Sequence, residues 1–448
     1  MAGFMPGAPR PRLALAVFDA AALAASVWLA FQIRFIPTDR PKNWAALFER
    51  PELIVTGLLA LWALAVAAEL YEPLLLRRRG EVTTRVAVVA ATWGIGLALG
   101  TYVIPSWRFG RGLLVLTTAA WAFAAAAARA LLAQRLRTRP RPKALVIGDP
   151  AGVASVCGRL QSHPLAPWAP VDGSGVTTAA LADEARRRGA ELVVLAGADL
   201  GAGEYAADLA ALLFSGVPVV AATEIWAWLD GRLPVSELSP AAFLHQPGFG
   251  AIHWPLFNRV TRVLDVVLGT VALIVVSPVL LLAALAVLVA DGRPVIYGQT
   301  RVGQFGRQFR LVKLRTMVRD AEAGGPAFAG RDDPRATRVG RVLRRLRIDE
   351  LPQLVNVLRG EMSLVGPRPE RPEFVAELAA VIPFYTFRLA VPPGLTGWAQ
   401  VNMPYARSHE EHRRKLEYDL YFIRERSVSN YLVALLRTVS AALVGAGR

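Results

Sequence analysis

The 448-residue chain contains very little cysteine, histidine or lysine. Its one cysteine, Cys157, excludes a disulfide framework and a cysteine metal cage, and its five histidines lack the paired spacing typical of a zinc site. Lysine supplies only four of the 51 basic residues, so arginine is the default cation and its abundance largely reflects composition. The function therefore has to be explained without disulfides or a cysteine–histidine metal centre.

The chain is rich in apolar residues and in positive charge. It is 54% hydrophobic, its formal net charge is +16 and its mean hydropathy is +0.37. Together these values indicate an integral membrane protein with a basic cytoplasmic side. Nucleic-acid binding would also explain the basic balance, but it would not explain long apolar runs, and we do not expect a nucleic-acid partner. The length allows two or three domains.

Four apolar runs lie near the N-terminus, at residues 13–33, 53–70, 86–104 and 112–133. Each approaches the ~20 residues that a membrane helix needs. No small-residue cleavage site follows the first run, which favours a retained span over a signal peptide. Twelve basic residues flank the ends predicted to be cytoplasmic and six flank the other loops, so the positive-inside rule places both termini of the bundle in the cytoplasm. We predict a four-helix transmembrane domain over residues 1–140.

A fifth apolar run, residues 263–290, does not fit this alternation because basic residues lie on both sides of it, beginning with Arg259 and Arg262. Its centre contains Ser277 and Pro278, and proline removes a backbone donor from a helix. Span length alone favours a kinked helix that crosses the membrane. The charge on both flanks favours a helix that enters, breaks at this pair and returns, with the serine hydroxyl satisfying the backbone. We predict the re-entrant form.

A small soluble domain is predicted over residues 141–232. KALVIGD, ELVVLAG and GVPVVAA have the composition of short buried strands, and ALADEARRRGA is typical of a helix, which indicates a Rossmann-like βαβ arrangement with a parallel sheet. The loop Gly148–Gly152 is not G-x-G-x-x-G and contains Pro150, so a scaffold or dimerisation role is favoured over nucleotide binding. The proline-rich residues 233–256 predict a linker.

The segment RIDELPQLVNVLRGEMSLVGPRPE, residues 347–370, places Asp349 and Glu350 at the start of a helix that Gly360 would end. Thirteen basic residues lie in the stretch 301–347. The simplest structural explanation is that Asp349 is an N-cap and Glu350 is a first-turn acid. The alternative is chemical, since neighbouring residues on a helix point about 100° apart. One carboxylate would then attack phosphorus or hold a metal, and the other would orient it or act as a base.

The surrounding basic residues suit an anionic ligand at a membrane surface. RLVKLRTM alternates like a strand with Lys313 and Arg315 on one face, and a rare lysine is a compact donor to oxyanions. ATRVGRVLRRLR is typical of an amphipathic helix on an anionic membrane, with its valines and leucines on one face. Arg368 stands between two prolines. The cations would offset the charge of a pyrophosphate.

Residues 256–448 resemble the catalytic domain of the bacterial sugar transferases, the polyprenyl-phosphate hexose-1-phosphate transferases. The resemblance rests on six motifs in the same order: the Ser-Pro break, KLRTM, DDPRATRVGRVLRR, DELPQLVNVLRGEMSLVGPRPERPEF, PGLTGWAQVN and LEYDLYF. The whole chain resembles the large monotopic subgroup that initiates exopolysaccharide or O-antigen repeat units. The implied fold is a membrane helical bundle, a Rossmann-like α/β domain and a mainly helical α+β catalytic domain over residues 257–448.

The resemblance also implies roles for individual residues. Asp349 would be the nucleophile and a magnesium ligand, and Glu350 would support it. The phosphates and uridine diphosphate would be held by Lys313, Arg315, Arg344 and Arg368, and Ser277 and Pro278 would form the re-entrant break. This sequence departs from the family pattern at Met403-Pro404-Tyr405, so sugar specificity does not carry over. It also has Tyr431 about where relatives often carry aspartate.

The function that the resemblance implies is transfer of a sugar 1-phosphate from a UDP-sugar to undecaprenyl phosphate. The reaction would release UMP and pass through a covalent aspartyl-phosphosugar. It would use Mg²⁺ and occur at the cytoplasmic face of the bacterial inner membrane, in a homodimer embedded in the bilayer. One alternative is a non-catalytic scaffold or regulator of polysaccharide assembly. Another is an NAD-dependent sugar-nucleotide enzyme using residues 143–232, against which the broken glycine loop counts.

Overall fold

A computed structural model of the chain describes residues 11–34, 51–104 and 110–443, with internal gaps of which the longer are 72–75, 177–180, 198–208, 244–247, 250–253 and 322–332. The chain forms two compact units, Met1–Leu229 and Asp230–Arg448.

Each of the four predicted apolar runs near the N-terminus is helical. The helices are α1 (Pro11–Arg34), α2 (Pro51–Ala67), α3 (Arg79–Val103) and α4 (Arg111–Thr138). By length and composition α1, α3 and α4 could cross a membrane, whereas the apolar part of α2 is shorter. Helix α4 packs on both α1 and α3, and the core between them includes Trp121 and Ala125.

Two buried ion pairs lie inside this bundle. Arg129 of α4 donates to both carboxylate oxygens of Asp19 in α1, at 2.9 and 2.7 Å, and also to the Leu70 and Ala125 carbonyls. Arg85 pairs with Glu81 one helical turn earlier. The positive-inside count treated Arg85 and Arg129 as free flanking charges, but both are paired inside the bundle. The ten remaining cytoplasmic-side basic residues still exceed six, so the predicted orientation keeps its basis.

The rest of the first unit contains a four-stranded parallel sheet with the order β2-β1-β3-β4. Three strands lie where the sequence predicted them, and the additional strand β2 forms one edge. Asp149 accepts a hydrogen bond from the Gly152 amide at 2.9 Å and caps the following helix, in which Pro150 is the first residue. The 148–152 segment is thus an ordinary helix start. The strands are β1 (Lys143–Ile147), β2 (Ala169–Asp172), β3 (Ala190–Leu195) and β4 (Val219–Ala221), and the helices are α5 (Pro150–Ser162), α6 (Leu181–Arg188) and α7 (Ala222–Asp230).

The second unit is mainly helical with two small two-stranded sheets, as predicted for an α+β domain. Strands β5 and β6 form an antiparallel hairpin, and β7 and β8 pair in parallel. The elements are a 3₁₀ turn (Val235–Glu237), α8 (Pro255–Asp291), β5 (Ile296–Val302), a 3₁₀ turn (Gln304–Gly306), β6 (Gln308–Leu314), α9 (Arg338–Arg345), a 3₁₀ turn (Ile348–Gln353), α10 (Leu354–Arg359), β7 (Ser363–Val365), α11 (Pro372–Val381), a 3₁₀ turn (Tyr385–Ala390), β8 (Gly394–Thr396), α12 (Trp398–Asn402), α13 (His409–Arg424) and α14 (Val428–Leu443).

Helix α8 is the longest apolar helix, at 37 residues, and its helical backbone continues through Ser277 and Pro278. Pro278 has no amide to donate to the carbonyl of Ile274, four residues earlier. The Ser277 hydroxyl donates to that same carbonyl at 2.8 Å and replaces the missing bond. No non-helical residue separates two helices here. The predicted break is therefore not confirmed, and re-entry stays a prediction.

Two other expectations for this unit need correction. The apolar face predicted for α9 is divided, because Leu343 and Val339 pack on α8 while Val342 remains exposed. The start of the predicted linker packs on the LEYDLYF motif. The Leu233 amide donates to the Glu417 carbonyl of α13 at 3.0 Å, and the Val235 amide donates to the Glu417 carboxylate at 3.2 Å. Part of the remaining linker lies outside the described residues.

The Asp19–Arg129 pair generates a stability prediction. Asp19→Asn should lower the free energy of unfolding by about 3–5 kcal/mol, because it leaves a buried guanidinium without its counter-charge. Thermal and denaturant unfolding of the purified protein in detergent would measure this. Asp183→Asn is the control, because Asp183 pairs with Arg186 on the surface, where both side chains are at least 65% exposed. An Asp19→Leu/Arg129→Met double variant should recover most of the loss, and equal destabilisation by all three changes would contradict the account.

Candidate active site

Asp349 lies in the second position of the 3₁₀ turn Ile348–Gln353. The N-cap position of this turn is occupied by Arg347, whose backbone is left-handed with φ of 56°. No side chain makes a capping hydrogen bond to this turn among the described residues. Helix α10 follows directly and ends at Gly360, whose φ is 84°, as the sequence predicted. The simplest structural explanation of Asp349, that it is an N-cap, is therefore wrong.

The Asp349 carboxylate is buried among cations but is bonded to none of them. Only 8% of the residue is exposed, and it makes no hydrogen bond or ion pair with any residue that the structure describes. Burial and the neighbouring Glu350 charge raise the pKa of Asp349 to about 6, although Lys313, Arg344 and Arg368 oppose the shift. Near neutral pH the group is thus mostly ionised and has no partner to weaken it as a nucleophile.

Glu350 occupies the opposite electrostatic environment. Its Oε1 accepts from Arg368 Nη2 at 2.5 Å and its Oε2 lies 3.5 Å from Arg347 Nη1. Burial would raise its pKa, but the Arg368 guanidinium outweighs burial and lowers the pKa of Glu350 to about 2. Adjacent titratable groups with divergent pKa values are a mark of separated chemical roles. Here Glu350 is a fixed counter-ion, and Asp349 is the available carboxylate.

Arg368 is presented by a rigid segment, residues 366–370, which we term the arginine loop. Four consecutive carbonyls of this loop each accept a hydrogen bond of 2.9 to 3.1 Å. The donors to Pro367, Arg368, Pro369 and Glu370 are, in that order, the Gly394 amide, Arg388 Nη2, Arg301 Nη1 and the Val302 amide. These four hydrogen bonds fix the backbone that carries the Arg368 side chain.

Glycines allow the loop to lie directly against the chain around β8. A Cβ atom at Gly366 would lie 2.4 Å from the Pro392 carbonyl oxygen, and one at Gly397 would lie 2.2 Å from the Gly366 carbonyl oxygen. Only residues without a side chain fit at such separations. This crossing explains why the motifs VGPRPE and PGLTGW both need glycine.

The structure brings together five of the predicted site residues. Lys313 lies on β6 with its Nζ 5.2 Å from the Tyr297 ring centroid, and burial, with nearby Arg301, lowers the pKa of this lysine. Its charge, like those of Arg344 and Arg368, acts on Asp349. The group comprises Asp349, Glu350, Lys313, Arg344 and Arg368.

The other predicted residues lie elsewhere. Strand β6 ends one residue before Arg315, whose Nη2 donates to the carbonyls of Asp291 and Gly292 at 2.5 and 2.7 Å. Arg315 thus caps the C-terminal end of α8, and its assignment to substrate phosphates stays a prediction. Ser277 and Pro278 lie within α8.

The two departures from the family pattern fall in different places. Met403 and Pro404 line a small cleft beside Arg368, while Tyr405 lies outside the described residues. The Tyr431 hydroxyl donates to Asp265 of α8, which also accepts from the Leu364 amide at 2.7 Å. Tyr431 therefore links α14 to α8, and its hydroxyl bonds to Asp265 and not to Asp349 or Glu350.

Sequence reasoning missed a second set of charged residues behind the arginine loop. Glu370 pairs with Lys415 at 2.6 Å and with Arg301 at 3.5 Å, and Arg388 pairs with Asp419 at 2.8 Å. Lys415 could have been noticed as one of only four lysines, and Asp419 lies within the LEYDLYF motif. Arg388 carried no signal among so many arginines.

The protein side chains of this site could supply only some of the ligands that a magnesium ion needs. Among the described residues, no group of three or more His, Cys, Asp or Glu side chains could form a metal centre alone. Magnesium does not require one, because it is commonly held by one or two carboxylates together with substrate phosphates and water. Asp349, without another partner, has the chemistry of such a ligand.

The second unit is thus an α+β domain that carries a long apolar helix and a buried carboxylate pair among cations. Residues 256–445 match the family model for bacterial sugar transferases. The chain is 38% identical over 247 residues to the UDP-N-acetylgalactosamine-undecaprenyl-phosphate N-acetylgalactosaminephosphotransferase of Aeromonas hydrophila, covering 55% of this chain and 57% of that protein. It is 45% identical over 184 residues to the UDP-glucose:undecaprenyl-phosphate glucose-1-phosphate transferase of Caulobacter vibrioides, covering 41% and 69%. It is 34% identical over 221 residues to the exopolysaccharide production protein ExoY of Sinorhizobium fredii, covering 46% and 95%.

The chain belongs to the bacterial sugar transferase family, as the motifs predicted. The chain spans little more than half the length of the Aeromonas relative. With its long apolar helices, the protein is a bacterial membrane protein.

The two adjacent carboxylates should respond oppositely to neutralisation. The pKa of Asp349 in the folded protein, about 6, exceeds the ordinary aspartate value of 3.8. The ionisable carboxyl group therefore lowers the free energy of unfolding as the pH rises from about 4 to 6 and above. Asp349→Asn should therefore be more stable than wild type by about 2–3 kcal/mol at pH 7.5, with the advantage disappearing below pH 4. Glu350→Gln should be less stable at pH 7.5, because it removes the Arg368 counter-ion. Thermal unfolding from pH 4 to 7.5 tests both, and destabilisation by both variants at pH 7.5 would contradict the assignment.

Proposed function

We propose that the protein transfers a sugar 1-phosphate from a UDP-sugar to undecaprenyl phosphate. The reaction releases UMP and forms the lipid-diphosphate-linked sugar that initiates exopolysaccharide or O-antigen synthesis. The observation that carries the proposal is Asp349, a buried carboxylate without a partner among three cations. Relatives that share this domain are named for such transfers with N-acetylgalactosamine and glucose, which supports the proposal.

In the first step, a carboxylate oxygen of Asp349 attacks the β-phosphorus of the UDP-sugar. An Asp349 O–P bond forms, and the bond between the β-phosphorus and the bridging oxygen breaks. That oxygen leaves with the α-phosphate as UMP. The product on the enzyme is an aspartyl-phosphosugar, an acyl phosphate ester that retains the sugar.

The cations stabilise charge on the transferring phosphoryl group. Lys313, Arg344 and Arg368 surround Asp349 with positive charge in a buried setting, where such interactions are stronger than in water. Glu350 is tied to Arg368 and so orients the guanidinium. Bound Mg²⁺, held by Asp349 and the diphosphate, would supply further positive charge on the phosphate oxygens.

In the second step, an oxygen of undecaprenyl phosphate attacks the phosphorus of the aspartyl-phosphosugar. The Asp349 O–P bond breaks, the carboxylate is regenerated and the lipid carries a diphosphate linked to the sugar. Both substrates can use the same cations in turn, because one phosphate group leaves before the other arrives. This order requires ping-pong kinetics.

The packing of α8 supports re-entry of this helix from the cytoplasmic face. Near its start, Arg262 donates to the Val357 and Leu358 carbonyls at 2.6 Å, and Asp265 accepts from the Leu364 amide. Near its end, Val287 packs on Leu314 and Leu343. Residues 265 and 287 would be about 33 Å apart in a straight helix, more than the ~30 Å hydrocarbon core. Contact of both ends with the same unit supports the proposal that both ends lie on one side of the membrane.

The first unit is assigned a supporting role. Its parallel sheet is Rossmann-like, and the capped helix start at Asp149 and Pro150 offers no glycine loop for a dinucleotide. We assign it to scaffolding or to homodimer formation. A purely non-catalytic scaffold would gain nothing from a buried carboxylate that has no bonded partner among the described residues, because such a group costs stability.

Replacement of Asp349 should abolish turnover without unfolding the protein. Asp349→Asn should lose essentially all UMP release, because the amide cannot act as the nucleophile. Wild type and variant would be assayed in nanodiscs with undecaprenyl phosphate and with UDP-glucose or UDP-N-acetylgalactosamine. Asp183→Asn is the control for loss of a carboxylate at the surface. Substantial UMP release by a folded Asp349→Asn protein would overturn the assignment.

Re-entry predicts that both flanks of α8 are shielded from outside the cell. In a Cys157→Ser background, Arg259→Cys and Arg307→Cys should both resist an impermeant thiol reagent in intact cells and react after permeabilisation. Ser106→Cys is the positive control, because the charge pattern places its loop outside. Labelling of one flank without the other in intact cells would show a crossing helix.

A further inference from the structure

Behind the arginine loop lies a buried ion pair that no part of the proposed reaction uses. Arg388, in the 3₁₀ turn Tyr385–Ala390, donates to Asp419 Oδ2 of α13 from its Nε at 3.0 Å and from its Nη2 at 2.8 Å. Both side chains are only 2% exposed. A pair buried this deeply is costly to desolvate and is weak evidence for stability alone. Its other contacts therefore matter.

Arg388 uses its remaining donors on two further groups. Its Nη1 donates to the Tyr385 hydroxyl at 3.0 Å, and its Nη2 donates to the Arg368 carbonyl oxygen at 3.0 Å. The other three anchors of the arginine loop come from two backbone amides and from Arg301. Arg388 thus supports the backbone of Arg368, and the Arg368 side chain donates to Glu350 at 2.5 Å.

We infer that Asp419 and Arg388 are positioning residues that hold Arg368 in register with Asp349 through the Arg368 backbone. Asp419 fixes the plane of the Arg388 guanidinium, and the guanidinium fixes the Arg368 carbonyl. Without Asp419, Arg388 would lose its counter-charge and two hydrogen bonds and would turn away from the loop. Arg368 would then meet the transferring phosphate with a displaced guanidinium.

The same helix provides a matched control two residues away. Glu417 is also buried on α13 and also accepts from an arginine, at 2.6 Å from Arg232 Nη1, and from the Val235 amide. Its contacts go to the segment before α8 and not to the arginine loop. Asp419→Asn and Glu417→Gln both neutralise a buried carboxylate of α13 that pairs with an arginine, but only Asp419 contacts the arginine that supports Arg368.

The test is a double-mutant cycle with single-turnover UMP release, using whichever of UDP-glucose and UDP-N-acetylgalactosamine the wild type accepts. Asp419→Asn should slow UMP release roughly ten- to a hundredfold, since small misplacements of catalytic groups have effects of this size, and Glu417→Gln should not. In an Arg368→Ala background, Asp419→Asn should have almost no further effect. Equal slowing by the two α13 variants, or an undiminished effect of Asp419→Asn without Arg368, would overturn the inference.

A second readout does not depend on turnover. Hydrogen–deuterium exchange of the peptide 362–371 should rise in Asp419→Asn and stay at the wild-type level in Glu417→Gln. If Asp419→Asn does not fold, Arg388→Lys replaces it, because a lysine keeps the charge beside Asp419 but cannot reach Tyr385 and Arg368 as well. The inference rests on the proposed function, and the readouts separate the two. A wild type that releases no UMP contradicts the function, whereas unchanged exchange contradicts the positioning role.

Discussion

The ion pair between Glu350 and Arg368 is the interaction on which the site depends. It neutralises one of two adjacent buried carboxylates, so the other can remain ionised near neutral pH without two bare charges side by side. It also fixes the guanidinium next to Asp349. Because the pair requires Arg368 to arrive at one position, it explains why four successive carbonyls of the arginine loop are anchored and why three glycines cross there.

Hydrogen bonds connect the long apolar helix α8 directly to the elements that form the site. Helix α8 is fastened near its start by Arg262 and Asp265 and at its end by Arg315, which connects the last turn of the helix to the strand that carries Lys313. The reaction that we propose joins a water-soluble nucleotide sugar to a lipid phosphate. A site attached in this way to an apolar helix is held at the membrane surface, where both substrates are within reach.

Much of this arrangement could be predicted from the sequence, because the signals were local. Apolar runs predicted the helices of the bundle, short buried strands with a helix between the first two predicted the parallel sheet, and Gly360 correctly marked the end of α10. The motifs led to the correct family. The interpretation of Asp349 as an N-cap was wrong because the left-handed conformation of Arg347 starts the turn two residues earlier.

Other features depend on contacts between distant residues and left no readable signal. Arg129 looked like a flanking charge until its partner Asp19, 110 residues away, was seen beside it. Arg315 and Lys313 are close in sequence but the chain leaves the strand between them. The pairing of Arg388 with Asp419 cannot be read from a chain in which nearly every cation is arginine.

The central claim is that Asp349 becomes covalently linked to a sugar phosphate. Its most direct test is mass spectrometry of the protein incubated with Mg²⁺ and a UDP-sugar that it turns over, without undecaprenyl phosphate and quenched in acid. The account predicts a protein heavier by one sugar phosphate, with the modification on the peptide that contains Asp349, and its loss when undecaprenyl phosphate is added. Release of UMP only when both substrates are present, with no modified peptide at any quench time, would contradict it.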